Sequence, residues 1–97
     1  MDVHEAVEHW VDRYYEAAVE DPDPVAFVDR ALGGEWGDAP QALLLRLLDQ
    51  VEAIVLANIA DRQEEVPGQE SEAEMAAEYW RERFAAARTL VLERRRP

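Results

Sequence analysis

The chain has 97 residues, of which 48% are hydrophobic, so it is long enough for a single domain, residues 1–97, with one core. It contains no cysteine, which excludes disulfides and thiolate metal sites and predicts a cytoplasmic protein. No apolar run approaches the roughly 18 residues that cross a membrane, and the N-terminal "MDVHEAVEHW" lacks a signal-peptide pattern. We therefore expect no association with a membrane.

The charge of the chain is strongly negative and unevenly distributed. Its 22 acidic residues outnumber 10 basic residues, all of them arginine, which resembles the acidic, lysine-poor proteins of salt-accumulating halophiles. Residues 1–80 carry 20 acidic residues and four arginines, whereas residues 81–97 carry two glutamates and six arginines. Because so acidic a surface repels phosphate backbones, the composition disfavours nucleic acid as a partner.

Residues 3–20 are predicted to form the first helix. Hydrophobic residues recur there at spacings of three and four, among them Val7, Trp10, Val11 and Tyr14, and therefore share one apolar face. The sequence "DPDP" at residues 21–24 ends this helix, because proline has no amide hydrogen with which to continue it.

The second predicted helix is short and covers residues 24–32. Asp23 is a suitable N-cap, and Pro24 suits the first helical position, where an amide hydrogen would have no partner. Gly33 and Gly34 provide the C-terminal stop. The side chains expected to be buried are Val25, Val28 and Leu32.

The third predicted helix, residues 41–66 with Asp38 as its N-cap, has an apolar arc that is too wide for one buried face. One stripe consists of Leu43, Leu47, Val51 and Ile54. A second stripe extends the arc over more than half of the circumference: Leu45, Leu48, Leu56 and Ile59. Either this helix is surrounded by the rest of the chain, or its second stripe contacts another subunit. Because the first helix is much shorter than the third, we favour a homodimer with twofold symmetry.

The fourth predicted helix covers residues 71–95. Ser71 and Glu74 have the S-x-x-E spacing of a capping box, in which each side chain satisfies an amide at the start of a helix. The residues expected to be buried are Met75, Tyr79, Trp80, Phe84, Ala87, Leu90 and Val91. Together the patterns predict an all-α, antiparallel bundle of three long helices and one short helix.

The stretch "HEAVEH", residues 4–9, resembles the zinc-protease motif H-E-x-x-H but has Glu8 in place of the second histidine. His4 and His9 are five residues apart, which separates them by about 140° around a helix and prevents them from binding one ion together. We therefore interpret both histidines as surface residues and expect no metal and no cofactor at this position.

Two pairs of carboxylates resemble a known magnesium site. Glu5 with Glu8, and Glu35 with Asp38, match the E-x-x-E and E-x-x-D motifs of the all-α NTP pyrophosphohydrolases. The resemblance implies a divalent-metal-dependent nucleotide phosphohydrolase, since carboxylates suit a hard cation that holds a triphosphate. However, the glycines around Glu35 predict a loop, whereas that family carries both pairs on helices.

Charged residues also fall inside two of the apolar arcs. Glu52 lies within the arc of the third helix and Arg83 within that of the fourth. A charge in an apolar environment is costly unless it is paired, so we expect each of them to lie at the rim or to bind an opposite charge.

Two features are candidate interaction sites outside the second stripe. Trp36 lies in a glycine-rich loop, where it either covers the core or anchors an interface. Arg94, Arg95 and Arg96 stand at the end of the fourth helix, where the helix dipole and nearby acidic surface favour positive charge. Contact between these arginines and nucleic acid is the alternative.

The chain offers few residues for nucleophilic catalysis. It has no cysteine, and Ser71 and Thr89 are its only hydroxyl residues besides tyrosine. We therefore expect no catalytic residues and interpret the protein as a structural or regulatory interaction module that self-associates and binds an unidentified protein partner. The phosphohydrolase and a module that contacts nucleic acid through its arginine tail are the alternatives.

Overall fold

The computed structural model describes residues 3–65, 68 and 70–94, with side chains described from residue 5 onwards. The regular secondary structure of these residues is helical throughout: α1 (Val3–Ala18), α2 (Pro24–Leu32), α3 (Gln41–Glu65) and α4 (Glu70–Arg94). The predicted all-α bundle of three long helices and one short helix is therefore confirmed. Within these residues, no helix combines the length and the hydropathy that crossing a membrane requires.

Local signals determine both ends of α2. Asp23 is the N-cap, and its side chain accepts a hydrogen bond from the amide of Val25 at 2.9 Å. At the other end, the amide of Glu35 donates to the carbonyl of Arg30 at 3.3 Å. This turn needs a left-handed backbone, which Gly34 supplies with a φ of 84°. The chain therefore folds back over α2 directly after the helix ends.

The starts of the two long helices differ slightly from the predicted ones. The carbonyl of Pro40 accepts the first hydrogen bond of α3, from the amide of Leu44, so Pro40 rather than Asp38 immediately precedes the helix. Because α4 begins at Glu70, Ser71 lies inside its first turn and not at the predicted cap. Both shifts are within the one or two residues by which helix ends commonly vary. The predicted ends at residues 66 and 95 lie outside the described residues.

The long helices α3 and α4 form an antiparallel hairpin, and α1 and α2 pack against it. Helix α1 lies against α3, while α2 lies against α4. Helix α2 runs parallel to α4, since Asp23 bonds Arg83 and Asp29 bonds Arg94. The core consists of buried residues from all four helices and the loop before α3: Val7, Trp10, Val11, Tyr14, Ala17, Phe27, Val28, Ala31, Ala39, Leu44, Leu47, Leu48, Val51, Phe84, Ala87 and Val91.

The hairpin is longer than the helices that cover it. Its two helices have 25 residues each, about 37 Å, whereas α1 has 16 residues, about 24 Å. Among the described residues, the last buried one in α3 is Val51 and the first in α4 is Phe84. Beyond this covered part, which we call the body, the hairpin projects as an arm made of residues 55–65 and 70–81. The chain is accordingly elongated, measuring 47 × 26 × 22 Å.

The radius of gyration supports the same description. It is 14.4 Å, against about 12.5 Å for a compact domain of this length. An uncovered hairpin end accounts for the difference, because it adds length without adding a second layer of helices. The shape therefore follows from the unequal lengths of the helices.

Burial corrects two of the expectations drawn from the sequence and adds one buried residue that they omit. Met75 and Tyr79 are 71% and 53% exposed, so the prediction that they are buried is wrong. Their spacing does place them on an apolar side of α4, but this side belongs to the arm, where α1 and α2 do not reach. Conversely, Phe27 was not among the expected buried residues of α2, yet it is only 2% exposed.

Candidate interaction surface

The wide apolar arc of α3 is covered differently along its length. Leu48 is fully buried and Leu45 packs against the core, so the body covers both stripes at this end of the helix. Leu56 and Ile59 are only half-buried, and together with Ala73 of α4 they line a groove of about 230 Å³. The second stripe therefore follows the seam between α3 and α4, and its distal part lies in the arm.

The face of the hairpin that α2 covers in the body continues uncovered along the arm. Tyr79 lies four residues before Arg83, which bonds Asp23 at the start of α2. Residues four apart share one side of a helix, so Tyr79 lies on the same side of α4 as Arg83, one turn beyond the N-terminal end of α2. Met75 lies one turn further towards the tip, on the same side, and both residues are exposed.

This uncovered side forms the surface that we call the inner face of the arm. It consists of Val55 and Ile59 from α3 and of Ala76, Tyr79 and Trp80 from α4, with Met75 at its edge. Two open grooves run along it, one of about 480 Å³ beside Val55 and Trp80 and one of about 450 Å³ between Ile59 and Ala76, and charged side chains line both of them, Arg62 and Glu65 among them. Both are larger than the groove on the opposite face, which is about 230 Å³.

The arm is acidic around its tip, with Arg62 one turn from it, and carries Arg81 at its root, where α4 enters the body. The arm has seven carboxylates and two arginines, Arg62 and Arg81. Five of these carboxylates lie around the tip: Glu64, Glu65, Glu70, Glu72 and Glu74. Neither arginine makes an ion pair with the described residues. Arg81 therefore presents an uncompensated positive charge near the root, on the side of α4 that faces away from α2.

The two charged residues predicted to need partners are both paired. Glu52, whose side chain is only 16% exposed, accepts a hydrogen bond from Arg88, which also bonds Asp49 at 2.8 Å. Arg83 donates to Asp23 at 2.5 Å. This hydrogen bond raises the pKa of Arg83. Burial acts to lower the pKa of Arg88, but the hydrogen bonds of Arg88 to Glu52 and Asp49 outweigh burial, so the pKa of Arg88 is raised as well. These pairs fasten α4 to α3 and α2 where the arm begins.

Trp36 covers one end of the core. Its ring stacks on that of Phe27 with centroids 5.0 Å apart and meets the ring of Trp10 edge-on at 6.0 Å. The guanidinium of Arg30 lies 5.0 Å from the centroid of Trp36 and bonds both oxygens of Glu35, at 2.5 and 3.0 Å. The bond from Arg30 lowers the pKa of Glu35 below its ordinary value. The turn after α2 thus positions Trp36, whose use as an interface anchor stays a prediction.

The arginine tail begins in contact with acidic surface. Arg94, at the end of α4, bonds Asp29 of α2 at 2.7 Å, which agrees with the prediction that neighbouring carboxylates favour basic residues here. Arg95 and Arg96 lie outside the described residues. The described end of the tail therefore acts as a link between α4 and α2.

The carboxylates that resemble a magnesium site lie on different kinds of structure. Glu5 and Glu8 are on α1, whereas Glu35 and Asp38 lie in the loop between α2 and α3. Both oxygens of Glu35 accept hydrogen bonds from Arg30. In the described part of the chain, no group of three or more histidine, aspartate or glutamate side chains is placed to hold a metal ion. The loop predicted around Glu35 is confirmed.

The histidines of "HEAVEH" both lie on α1, as predicted. His9 is exposed, and the side chain of His4 lies outside the described residues. The helical backbone sets the angle of about 140° between the two positions, so they face different sides of α1.

Comparison of the chain with protein-family models, with curated proteins and with solved structures gave no match. The surfaces of the described residues therefore carry the indications of function. Among these, Met75, Ala76 and Tyr79 were not identified from the sequence as a surface. The signal that indicates them is the difference in length between the first helix and the two long ones, which leaves one end of the hairpin without a cover.

Proposed function

We propose that the protein is a non-catalytic helical interaction module that self-associates and serves a structural or regulatory role in the cytoplasm. The observation that supports this proposal is the inner face of the arm, whose apolar side chains no helix in the described part of the chain covers. Two helices without a further layer bury little apolar surface. A second protein surface on the inner face supplies that layer and stabilises the arm.

The charge distribution supports an assembly that depends on salt. The chain carries a net charge of −12, so two copies repel each other at low ionic strength. In molar salt the screening length falls to about 3 Å, and this repulsion is largely removed. A composition that resembles halophilic proteins fits a module that assembles in concentrated salt.

Sedimentation equilibrium in molar KCl tests the proposal. We expect the average mass to rise from one chain, 11.1 kDa, towards twice that value as the concentration increases from about 1 µM to about 1 mM. The same series in dilute buffer provides the comparison and should show weaker association. A mass that stays at 11.1 kDa over the whole range in molar KCl contradicts the proposal.

A further inference from the structure

We infer that the inner face of the arm binds the arm of a second copy of this chain, packed antiparallel about a twofold axis that passes near Ala76. This inference rests on the proposed self-association and adds to it the surface, the orientation and the residues. The product is a four-helix bundle formed by two arms, with one body at each end. Each arm then supplies to the other the layer that α1 and α2 supply in the body.

The inner face is the side of the arm best suited to such packing. It continues the face on which the body already packs, since Val55 and Trp80 extend the core towards the arm. It also has the two larger grooves and the most exposed apolar side chains of the arm, Met75 and Tyr79. The opposite face has the smaller groove, of about 230 Å³, and Arg81 borders it. An apolar partner surface therefore gains most from the inner face.

Charge determines the orientation of the two arms. A parallel arrangement brings two acidic tips together, each with five carboxylates and no arginine between residues 64 and 74. An antiparallel arrangement separates the tips by about 17 Å, the length of the arm, which exceeds the screening length of about 8 Å at physiological salt. It also places the acidic tip of one copy near Arg83 at the root of the other, which Asp23 already pairs. The antiparallel arrangement therefore reduces the repulsion between the two acidic tips.

The area of the inner face is consistent with a reversible dimer. The face is about 17 Å long and two helices, about 20 Å, wide, which gives a footprint of about 340 Å² per copy. Since accessible area exceeds a flat footprint, two copies bury roughly 1,000 Å² in total, near the lower limit for specific interfaces. We therefore expect a dissociation constant of about 1 to 100 µM in molar KCl.

Single cysteines provide a direct test, because the chain has no cysteine of its own. In the antiparallel dimer the two copies of residue 76 lie next to the axis, so Ala76→Cys should form a disulfide-linked dimer under mild oxidation. Glu72 lies on the same side of α4 as Ala76, and its two copies lie about 12 Å apart along the bundle, too far for a disulfide, so Glu72→Cys should stay monomeric under denaturing conditions. Ala85→Cys, at an exposed position in the body, reports random collisions.

Each result of the cross-linking experiment has a defined meaning. Linkage of Ala76→Cys at least tenfold faster than that of the other two variants supports the inference. Linkage of Glu72→Cys as fast as that of Ala76→Cys excludes this antiparallel register and overturns it. A dimer by sedimentation in which no variant is linked overturns the inference but leaves self-association intact. A chain that stays monomeric in every experiment overturns both the inference and the proposed self-association.

A second set of variants tests the same surface without oxidation. Met75→Glu and Tyr79→Glu change exposed side chains, so the monomer should retain its helical circular dichroism. Each should weaken the dimer at least tenfold, because a carboxylate replaces apolar contact at the interface. Leu92→Glu is the matched control, since Leu92 is a comparably exposed apolar residue of α4 that lies in the body. Equal weakening by all three variants excludes the inner face as the site of association.

Discussion

Replacing Arg88 by methionine should remove the ion pair that joins α3 to α4 at the base of the arm. Methionine keeps the apolar stem of the side chain, so the change isolates the loss of the guanidinium. Asp49 is 70% exposed and regains water, whereas the side chain of Glu52 is 16% exposed and loses a hydrogen-bond partner that water replaces only in part. Most of the destabilisation should therefore come from Glu52.

The expected magnitude follows from that burial. A hydrogen bond to a charged group contributes about 1.5–3 kcal/mol when the group left behind is buried, and the remaining exposure of the pair reduces the expected loss to about 1–2 kcal/mol. For a domain of this size, a loss of 1 kcal/mol lowers the melting temperature by about 4–8 °C. Adding Glu52→Gln to Arg88→Met should cost little more, because the charge that lacks a partner is then removed.

Urea denaturation followed by circular dichroism measures these differences, at one low protein concentration so that association does not contribute. Arg46→Met is the matched control, because Arg46 is an exposed arginine of α3 that makes no ion pair with the described residues. It should change the free energy of unfolding by less than about 0.5 kcal/mol. Equal losses for Arg88→Met and Arg46→Met, or full additivity of the double variant, refute the reasoning.

Four further outcomes are expected. Phe84→Ala, which empties a fully buried position, should cost about 3–5 kcal/mol in urea denaturation, whereas Leu92→Ala at an exposed position should cost far less. Burial, and secondarily the charges of nearby acidic groups, raises the pKa of Tyr14. The neutral phenol therefore stabilises the fold fully below the ordinary tyrosine pKa of about 10, and this stabilisation is lost as the pH rises above that value. Tyr14→Phe should accordingly make the free energy of unfolding fall less steeply at alkaline pH. The melting temperature should rise between dilute buffer and molar KCl, since salt screens the repulsion among the carboxylates, and an unchanged value contradicts the halophilic interpretation. Titration calorimetry with Mg²⁺ and a nucleoside triphosphate should show no heat of binding. A heat of binding that Glu8→Gln abolishes contradicts a non-catalytic role.

The elements that the sequence predicts well are those that neighbouring residues determine. Asp23 followed by Pro24 specifies the start of α2, because the cap and the fixed backbone angle act within one turn. The glycines after α2 specify its end for the same reason, since only a left-handed residue completes that turn. The need of Glu52 and Arg83 for partners was also predictable, because burying an unpaired charge is costly wherever it occurs.

The features that the sequence does not determine depend on contacts between distant segments. Periodicity identified an apolar side of α4 but not how far α2 reaches along it, so Met75 and Tyr79 were expected to be buried. The width of the arc on α3 is consistent with either an intramolecular or an intermolecular cover, and the complete burial of Leu48 in the core shows that part of the cover is intramolecular. The sequence likewise does not identify the partner of Arg83, because Asp23 lies 60 residues earlier in the chain.

Hydrogen exchange followed by mass spectrometry at several protein concentrations tests the central claim most directly, that a second copy covers the inner face of the arm. In molar KCl, amides of residues 55–65 and 70–81 should exchange at least tenfold more slowly well above the dissociation constant than well below it. Amides of α1 and α2 should exchange at rates that change little. If the exchange rates of amides in the arm do not depend on protein concentration while sedimentation shows a dimer, the claim that a second copy covers the inner face is contradicted.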